Sequence, residues 1–398
     1  MTKTAIWNKA KHYLTDFRLI AFVWLILCLV PWLNRWISDS FDLDYSVFYH
    51  SFWHACEQMP LYIIYPEDGN YFLYGPLFPA LMAPLAVLPY QLGRLGWMLI
   101  ITFVPFWSIR KSLFTRYQQL FILWFITVEA YTCILDSESN SLILACILFT
   151  FYLVEKEKDC WAAFLIVLGT VTKIYGIVGL AFLPFSHHKL KFCGWTVAWM
   201  IILLVLPMLI FGPEYIWKEY FEWYDVLVHK NELNLFATGQ NISLLGIVRK
   251  VSGCATYSDL WLIIPGMIAF ALPYLRFGQY KYPAFRFAML ASVLMFVVLF
   301  STGSENYGYI IAMAGVAIWY TTAPWKRSKW DIALMVFAFL LTSMSPSDIV
   351  PKAIRQGFIR PYSLKALPVV FIWFKLTYEA LIKDYKDEDR NDSRSLLQ

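Results

Sequence analysis

The sequence predicts an all-α polytopic membrane protein, and three observations lead to that class. Hydrophobic residues make up 59% of the chain, charged residues only 15%, and the mean hydropathy is +0.54, outside the range of soluble globular proteins. Apolar stretches of about bilayer-crossing length recur along nearly the whole chain. Backbone groups in hydrocarbon must be hydrogen-bonded internally, so these stretches are expected to be helices. Trp and Tyr are abundant, as interfacial belts require.

Hydropathy predicts about 11–12 transmembrane helices. The candidate spans are residues 17–33, 93–109, 119–135, 141–154, 161–171, 174–185, 195–211, 260–277, 284–301, 307–322, 330–345 and 366–382. The first follows a basic segment, residues 3–18, that lacks the short apolar core and cleavage site of a signal peptide, so it is expected to stay as an anchor. The two short stretches that flank Lys173 are expected to be half-length helices meeting at a buried apex.

Residues 73–89 are apolar but carry four prolines, which remove hydrogen bonds and kink a helix. Counting them as a span would place Arg110, Lys111 and Arg116 outside, against the positive-inside tendency. We therefore predict a membrane-dipping or interfacial segment, with both termini in the cytoplasm. The external segments are then 39–72, 136–140, 212–259, 302–306 and 346–365, and they are expected to carry interfacial helices.

The last external segment is basic, with Lys352, Arg355, Arg360 and Lys365. External basic residues are an exception to the positive-inside tendency. Such residues suit a site that binds an anion, such as a lipid phosphate. No internal repeat or glycine-rich phosphate loop is evident, so residues 1–382 are predicted to form one domain. The charged tail, residues 383–398, is expected to be disordered and cytoplasmic.

Several ordered motifs resemble glycosyltransferase family 87. They are Asp44-Tyr-Ser-Val-Phe-Tyr49, Leu61-Tyr62, the proline-rich stretch that contains Tyr74-Gly-Pro76, the polar turn Asp136 to Asn140, Thr172-Lys173, and Gln240-Asn241-Ile-Ser243. The resemblance covers roughly residues 44–320. The sequence departs from the family at the polar turn, which reads Asp136-Ser-Glu138 in place of Gly-Gln, and at residues 301–307, where the family commonly has a Ser-Pro turn and histidines.

The resemblance implies a GT-C-like fold. It implies transfer of a hexose from a polyprenyl-phosphate donor to a glycan or glycolipid acceptor, with mannose as the expected sugar. It also implies an inverting reaction at the outer face of a membrane, expected to be the bacterial cytoplasmic membrane, with Asp44 as general base. A carboxylate can accept the proton of an attacking hydroxyl, while the anionic lipid phosphate needs no acid to leave. Asp42 is the weaker candidate base, and Asp44 could instead only start a helix.

The leaving phosphate needs positive charge or hydrogen-bond donors. The candidates are Lys173, Arg360 and Lys352, although Lys173 could also snorkel from a helix end. Glu305, Asn306 and Asn241 are candidate contacts to sugar or acceptor, with ordinary turns and loops as the alternative. Asn241 also begins an Asn-Ile-Ser sequon. Tyr74 is a candidate substrate-binding residue, more suited to shaping its segment than to reacting.

His50, His54 and Glu57 have metal-ligand spacing on one helix face, but no further histidine or cysteine supports a metal site. We expect no metal, no cofactor and no nucleic-acid partner; the partners are the lipid-linked donor, the acceptor and the bilayer. A transporter or flippase of lipid-linked sugars is the alternative, since a buried lysine and broken helices also suit a permeation path. A pseudoenzyme or structural subunit is the third possibility.

Overall fold

The computed structural model describes residues 15–40 and 42–386. Over these residues the regular structure is helical throughout and contains no strand, which confirms the predicted all-α class. The chain divides into two compact units, one up to Glu232 and one from Leu233, and the prediction of a single domain stays a prediction. Most of the predicted basic N-terminal segment, and the predicted tail from residue 387 on, lie outside the described residues.

Within residues 15–40 and 42–232, the structure shows ten α-helices and one 3₁₀ helix. The last of them, α10, ends two residues past the boundary of the unit. The helices are Phe17–Ile37 (α1), Leu43–Cys56 (α2), Phe78–Ala86 (α3), Tyr90–Lys111 (α4), Arg116–Phe125 (α5), Thr127–Leu135 (α6), Asn140–Glu155 (α7), Asp159–Thr172 (α8), the 3₁₀ helix Ile174–Phe185, Lys189–Phe211 (α9) and Pro213–Asn234 (α10).

In the described part of the chain, α1, α4 and α9 are long and apolar enough to cross a membrane. Helices α5 and α6 meet that test together as one broken span, bent by 48°. At each of the other predicted spans the structure has a shorter helix or a helix continued by a few 3₁₀ or π residues. The helix positions are therefore those expected from hydropathy, while the number of 11–12 spans stays a prediction.

The chain breaks at Lys173 between two short helices, as predicted, but Lys173 itself is half-buried rather than buried. Helix α8 ends at Thr172, Lys173 has an extended backbone, and the 3₁₀ helix starts at Ile174. Two glycines allow the halves to fold back on each other, because a Cβ atom on Gly176 would lie 2.3 Å from the carbonyl carbon of Gly169. Since no side chain fits that gap, the glycine pair fixes the sharp return of the chain and holds Lys173 at its tip.

The proline-rich stretch 73–89 contains only the nine-residue helix α3. At 1.5 Å of rise per residue such a helix is about 14 Å long, roughly half of a hydrocarbon core. It is too short to span, in agreement with the prediction of a dipping or interfacial segment. The predicted external segment 212–259 likewise contains helices, α10 and the first helix of the second unit.

The second unit alternates longer α-helices with short 3₁₀ and π turns. Its elements are Leu244–Ser252 (α11), Leu260–Ala271 (α12) continued by Leu272–Leu275, the turn Phe277–Gln279, Pro283–Leu299 (α13), the turn Asn306–Gly308, Tyr309–Thr322 (α14), Lys329–Phe337 (α15) continued by the π-helical Ala338–Ser343, Lys352–Ile354 (α16) continued by the π-helical Arg355–Ile359, the turn Leu364–Ala366, and Leu367–Ile382 (α17).

The core of the second unit is α14, whose residues from Tyr309 to Trp319 are all buried. A helix that is apolar all round is expected to be enclosed by other helices. It packs closely on α13, because a Cβ atom on Gly315 would lie 2.8 Å from the carbonyl oxygen of Ala291. At its end the Trp319 indole donates to Glu379 over 2.8 Å, and Glu379 also pairs with Arg327 over 3.0 Å.

Candidate active site

Asp42 fastens the start of α2 to its surroundings. It is the N-cap of α2, and its Oδ1 accepts a hydrogen bond from the amide of Tyr45 over 3.3 Å. Its Oδ2 lies 2.5 Å from the Arg35 guanidinium and accepts from the Ser137 hydroxyl over 2.8 Å. Only 2% of Asp42 is exposed. Both carboxylate oxygens are thus engaged in holding α1, α2 and the polar turn after α6 together.

Asp44 lies in the first turn of α2 and is half-buried. Its Oδ1 accepts a hydrogen bond from the side-chain amide of Asn70 over 3.2 Å. The partial positive charge at the N-terminus of a helix attracts an acidic side chain to this position. The start of α2 and Asn70 therefore hold the Asp44 carboxyl group in place.

A buried acid keeps the segment around Asn70 against α2. Asp68 is 3% exposed, accepts from the Ser46 hydroxyl over 2.7 Å and lies 2.7 Å from Nδ1 of His50. Buried carboxylates are stable when they are paired and hydrogen-bonded, as this one is. The arrangement fixes the chain two residues before Asn70, and so fixes the amide that contacts Asp44.

The spacing of His50, His54 and Glu57 does not produce a metal site in the structure. His50 turns to Asp68, while His54 stacks on Tyr65 at 3.9 Å between ring centroids and lies 3.6 Å from Glu67. Burial lowers the pKa of His54, and its nearby acids only partly offset that. Across residues 15–40 and 42–386, no three His, Cys, Asp or Glu side chains are grouped to hold a metal ion.

A second polar cluster of the first unit surrounds Glu138, in the turn between α6 and α7. Its Oε2 lies 3.5 Å from Nζ of Lys173 and accepts from the Tyr74 hydroxyl over 3.4 Å. The Lys173 ammonium also donates to the Tyr74 oxygen over 3.2 Å, and the Tyr74 hydroxyl lies 2.6 Å from that of Ser139. Asn140 donates to Glu138 over 3.4 Å. The cluster joins three regions that are far apart in sequence.

Gly75 explains how Tyr74 reaches the apex. Its amide donates to the carbonyl of Thr172 over 3.0 Å, and a Cβ atom on Gly75 would lie 1.9 Å from the carbonyl oxygen of Val171. Only a glycine permits such a close approach of two backbones. The Tyr74-Gly-Pro76 motif therefore docks directly on the end of α8, where Lys173 begins.

The electrostatics of the cluster leave Tyr74 neutral and Lys173 paired. Burial raises the pKa of Tyr74, the Glu138 carboxylate raises it further, and Lys173 acts in the opposite direction. Burial also raises the pKa of the carboxyl group of Asp136, in the same turn, with Arg35 opposing. A neutral phenol and a partly exposed ammonium can both donate hydrogen bonds to an anion.

Glu138 is a residue that sequence reasoning did not select. The sequence showed it only as part of a departure from the family pattern at the polar turn. Its position before an apolar helix gave no signal of its own, because acidic residues are common at helix N-termini. The structure adds what sequence could not supply, namely its contacts to Lys173 and Tyr74.

In the second unit, Asn241 is fully buried and has a positive φ of 49°. Its Oδ1 accepts from the Ser243 hydroxyl over 2.7 Å, and Ser243 in turn caps α11. A Cβ atom on Gly246 would lie 1.7 Å from the Asn241 carbonyl oxygen, so the motif folds as a tight turn into a helix. The folded chain does not offer this sequon amide at its surface, and substrate binding by Asn241 stays a prediction.

The other predicted residues of the second unit lie on two segments. Glu305 and Asn306 are half-buried in the turn before α14, and the Asn306 carbonyl accepts from Nζ of Lys365 over 3.1 Å. Arg360 is exposed, and it lines a small cavity together with Asn306 and Lys365. Lys352 is exposed in the three-residue helix α16 and does not line that cavity.

Comparison with known proteins gives one family. The sequence pattern described as glycosyltransferase family 87 matches residues 72–302, more than half of the chain. Tyr74, Lys173 and Asn241 lie inside the matched residues, whereas Asp44 precedes them and Glu305 follows them. No curated protein matches the chain.

Proposed function

Because the chain belongs to glycosyltransferase family 87, we propose that it transfers mannose from a polyprenyl-phosphate donor to a hydroxyl group of a glycan or glycolipid. We place the reaction at the external face of a bacterial cytoplasmic membrane. Membership of a family of glycosyltransferases favours an enzyme over the transporter that the broken helices also suit.

The observation that carries the proposal is the environment of Asp44. Its half-buried carboxylate stands in the first turn of α2, shortly after the first apolar helix, with Asn70 bonded to one oxygen. Asp42, the alternative base, has both oxygens occupied by Arg35, Ser137 and the helix cap. The contacts of Asp42 give it a structural role at the start of α2. Asp44, the base that the family resemblance implies, is therefore the acid that we propose for catalysis.

In the proposed reaction Asp44 accepts the proton of the acceptor hydroxyl as its oxygen attacks the anomeric carbon. The bond from that carbon to the phosphate oxygen breaks, and the lipid phosphate leaves as an anion. A single displacement from the face opposite the phosphate inverts the anomeric configuration. A long apolar tail on the donor stays in the bilayer, so the sugar is presented at the membrane surface.

Lys173 is our candidate for stabilising the leaving phosphate. Its ammonium sits at the apex between two half-helices, with 23% of its side chain exposed. Glu138 and Tyr74 hold it from one side, over 3.5 and 3.2 Å. A cation whose direction is fixed before the reaction stabilises developing charge without reorganising. Tyr74 is proposed to orient Lys173 and to line the substrate site.

For the second unit we retain the predicted contacts as proposals. Glu305 and Asn306 would bind sugar or acceptor, and Arg360 and Lys352 would contact a lipid phosphate. Asn241 would act by shaping the loop into α11, since its amide already bonds Ser243.

Incubation of the purified protein with a panel of polyprenyl-phosphate sugars and a membrane lipid extract tests the proposal. We expect transfer from the mannosyl donor and a product whose anomeric configuration, read by NMR, is opposite to that of the donor. Transfer from nucleotide sugars alone would contradict the donor class. Retention of configuration would contradict a single displacement with Asp44 as base.

A further inference from the structure

The second unit contains a small cavity between the turn that precedes α14 and the segment that connects α15 to α17. Its volume of about 20 Å³ has room for one oxygen-sized group. Most of its lining comes from the segment that is basic in sequence. The lining residues are Gly239, Ile242, Asn306, Ser345, Pro346, Ile359, Arg360, Ser363 and Lys365.

The hydroxyl of Ser345 is the most informative group in this cavity. Ser345 is only 1% exposed, and among the described residues its Oγ meets no hydrogen-bond partner. A buried hydroxyl without a partner is unfavourable, and in native proteins it calls for an explanation such as a ligand. A buried hydroxyl donor without a partner therefore belongs to a residue that lines the cavity.

Positive charge surrounds the same space. Ser363 lies between two basic residues in sequence. Lys365, after it, is only 3% exposed, whereas Arg360, before it, is exposed. Behind Ser363 lies Lys250, whose ammonium donates to the Ser363 hydroxyl over 2.9 Å and to the carbonyls of Ala237 and Gln240. Arg360 and Lys365 therefore line the cavity, and Lys250 lies behind it. The acidic residue Glu305 precedes the lining residue Asn306 in sequence.

The charged form of Lys250 is buried, and removing that charge from water is unfavourable. Its three acceptors are neutral oxygens, and burial lowers its pKa to about 8. No carboxylate contributes to that shift. An ammonium kept in such surroundings raises the local potential, which favours an anion nearby.

We propose that this cavity binds one oxygen of a phosphate group, with Ser345 donating to it and Arg360 closing on the remaining oxygens at the mouth. The size of the cavity agrees, since it admits a single oxygen while the rest of the group stays outside. Arginine suits this role because its planar fork can donate two parallel hydrogen bonds to phosphate. The site selects Arg360 and Lys365 from the basic segment, rather than Lys352.

Two sources could supply the phosphate, a membrane lipid or inorganic phosphate. If the proposed function holds, the group belongs to the polyprenyl-phosphate donor, and that identification rests on it. The inference that the cavity binds a phosphate oxygen rests on Ser345 and its neighbours alone, and not on the proposed function.

Isothermal titration calorimetry of the purified protein in detergent tests the site, with polyprenyl phosphate in one arm and inorganic phosphate in the other. Ser345→Ala and Arg360→Gln should each weaken binding roughly tenfold, the effect of one hydrogen bond to a charged group. Ser343→Ala is the matched control, because Ser343 is also buried with an unpartnered hydroxyl in the adjacent π turn but does not line the cavity.

Thermal unfolding separates a binding role from a structural one. Replacing an unpartnered buried hydroxyl by a hydrogen atom is neutral or stabilising, so both serine variants should unfold at the wild-type temperature or slightly above it. A lower unfolding temperature for Ser345→Ala, wild-type binding in both cavity variants, or no binding of either ligand would each overturn the proposal. A protein that binds phosphate here yet transfers no sugar would overturn the proposed function and leave this site intact.

Discussion

The candidate sites of the two units differ in the charge of the side chains that surround them. The clusters of the first unit are built on carboxylates, Asp42, Asp68 and Glu138, and each is paired with a basic side chain. The cavity of the second unit is surrounded by cations, and Lys250 there donates only to neutral oxygens. Paired carboxylates suit the handling of a proton, and supported cations suit the holding of an anion. The difference agrees with the roles proposed for the two sites, proton transfer in the first unit and phosphate binding in the second.

The strongest test of this comparison removes the proposed base of the first unit. Asp44→Asn keeps the size of the side chain but cannot accept the proton, so the rate of transfer should fall by about 10²- to 10⁴-fold. Initial rates with saturating donor measure the loss. Asp39→Asn, a change at a nearby exposed acid, should keep the wild-type rate. Full activity of Asp44→Asn would leave the first unit without its base.

The next test concerns the one cation that the first unit places at its apex. Lys173→Ala should lower kcat/KM for the lipid donor by roughly 10²-fold, as the loss of a charge that stabilises a leaving group does. Lys158→Ala, an exposed lysine just before α8, should have no effect. An unchanged donor dependence would mean that Lys173 only anchors the apex.

The comparison of Asp42 with Asp44 separates structure from chemistry inside the first unit. Asp42→Ala removes the carboxylate that pairs with Arg35 and the acceptor of the Ser137 hydroxyl, and it should cost about 1–3 kcal/mol of stability. Asp44→Asn should cost less than about 1 kcal/mol. Thermal unfolding in detergent, followed by circular dichroism, gives both values. Equal losses would show that both acids are structural.

The smallest expected effect tests the charge of the second unit through pH. Burial lowers the pKa of Lys250 to about 8, so between pH 8 and the ordinary lysine pKa of 10.5 the unfolded state binds more protons than the folded state. The stability contributed by this residue therefore rises with pH over that range, by on the order of 1–2 kcal/mol.

The measurement is the difference in unfolding free energy between wild type and Lys250→Met at pH 7.5 and pH 10. Methionine removes the charge and keeps an unbranched side chain, so the difference isolates the lysine. Wild type should gain stability relative to the variant at the higher pH. A difference that does not change with pH would mean that Lys250 is not desolvated.

Much of the fold followed from local sequence. The predicted stretch 93–109 falls inside α4, and the stretch 366–382 coincides with α17 to within one residue. The prolines of residues 73–89 predicted a dipping or interfacial segment in place of a span, and the structure has a nine-residue helix there. The break at Lys173 was predicted from two short apolar stretches on either side of one charged residue. These features depend on segments of fewer than 25 residues, where hydropathy and proline geometry act directly.

The residues of the candidate sites could be predicted from the sequence only in part. Asp44 could be selected because its motif is contiguous, but Glu138 meets Tyr74 and Lys173 across 64 and 35 residues of sequence. In the basic segment 346–365 the sequence reasoning selected Arg360 and then Lys352 as contacts to a phosphate. The structure separates Lys365, which is buried, from Lys352, which is exposed.

The sequence by itself determined the membrane class, the all-helical architecture and the order of the polar turns, because apolar length and backbone hydrogen bonding fix these one segment at a time. Only the tertiary structure decided which turns meet. The docking of Gly75 on α8 and the burial of Ser345 depend on close contacts between segments that are distant in sequence. Such fits come from the packing of whole helices, which no single stretch of sequence encodes.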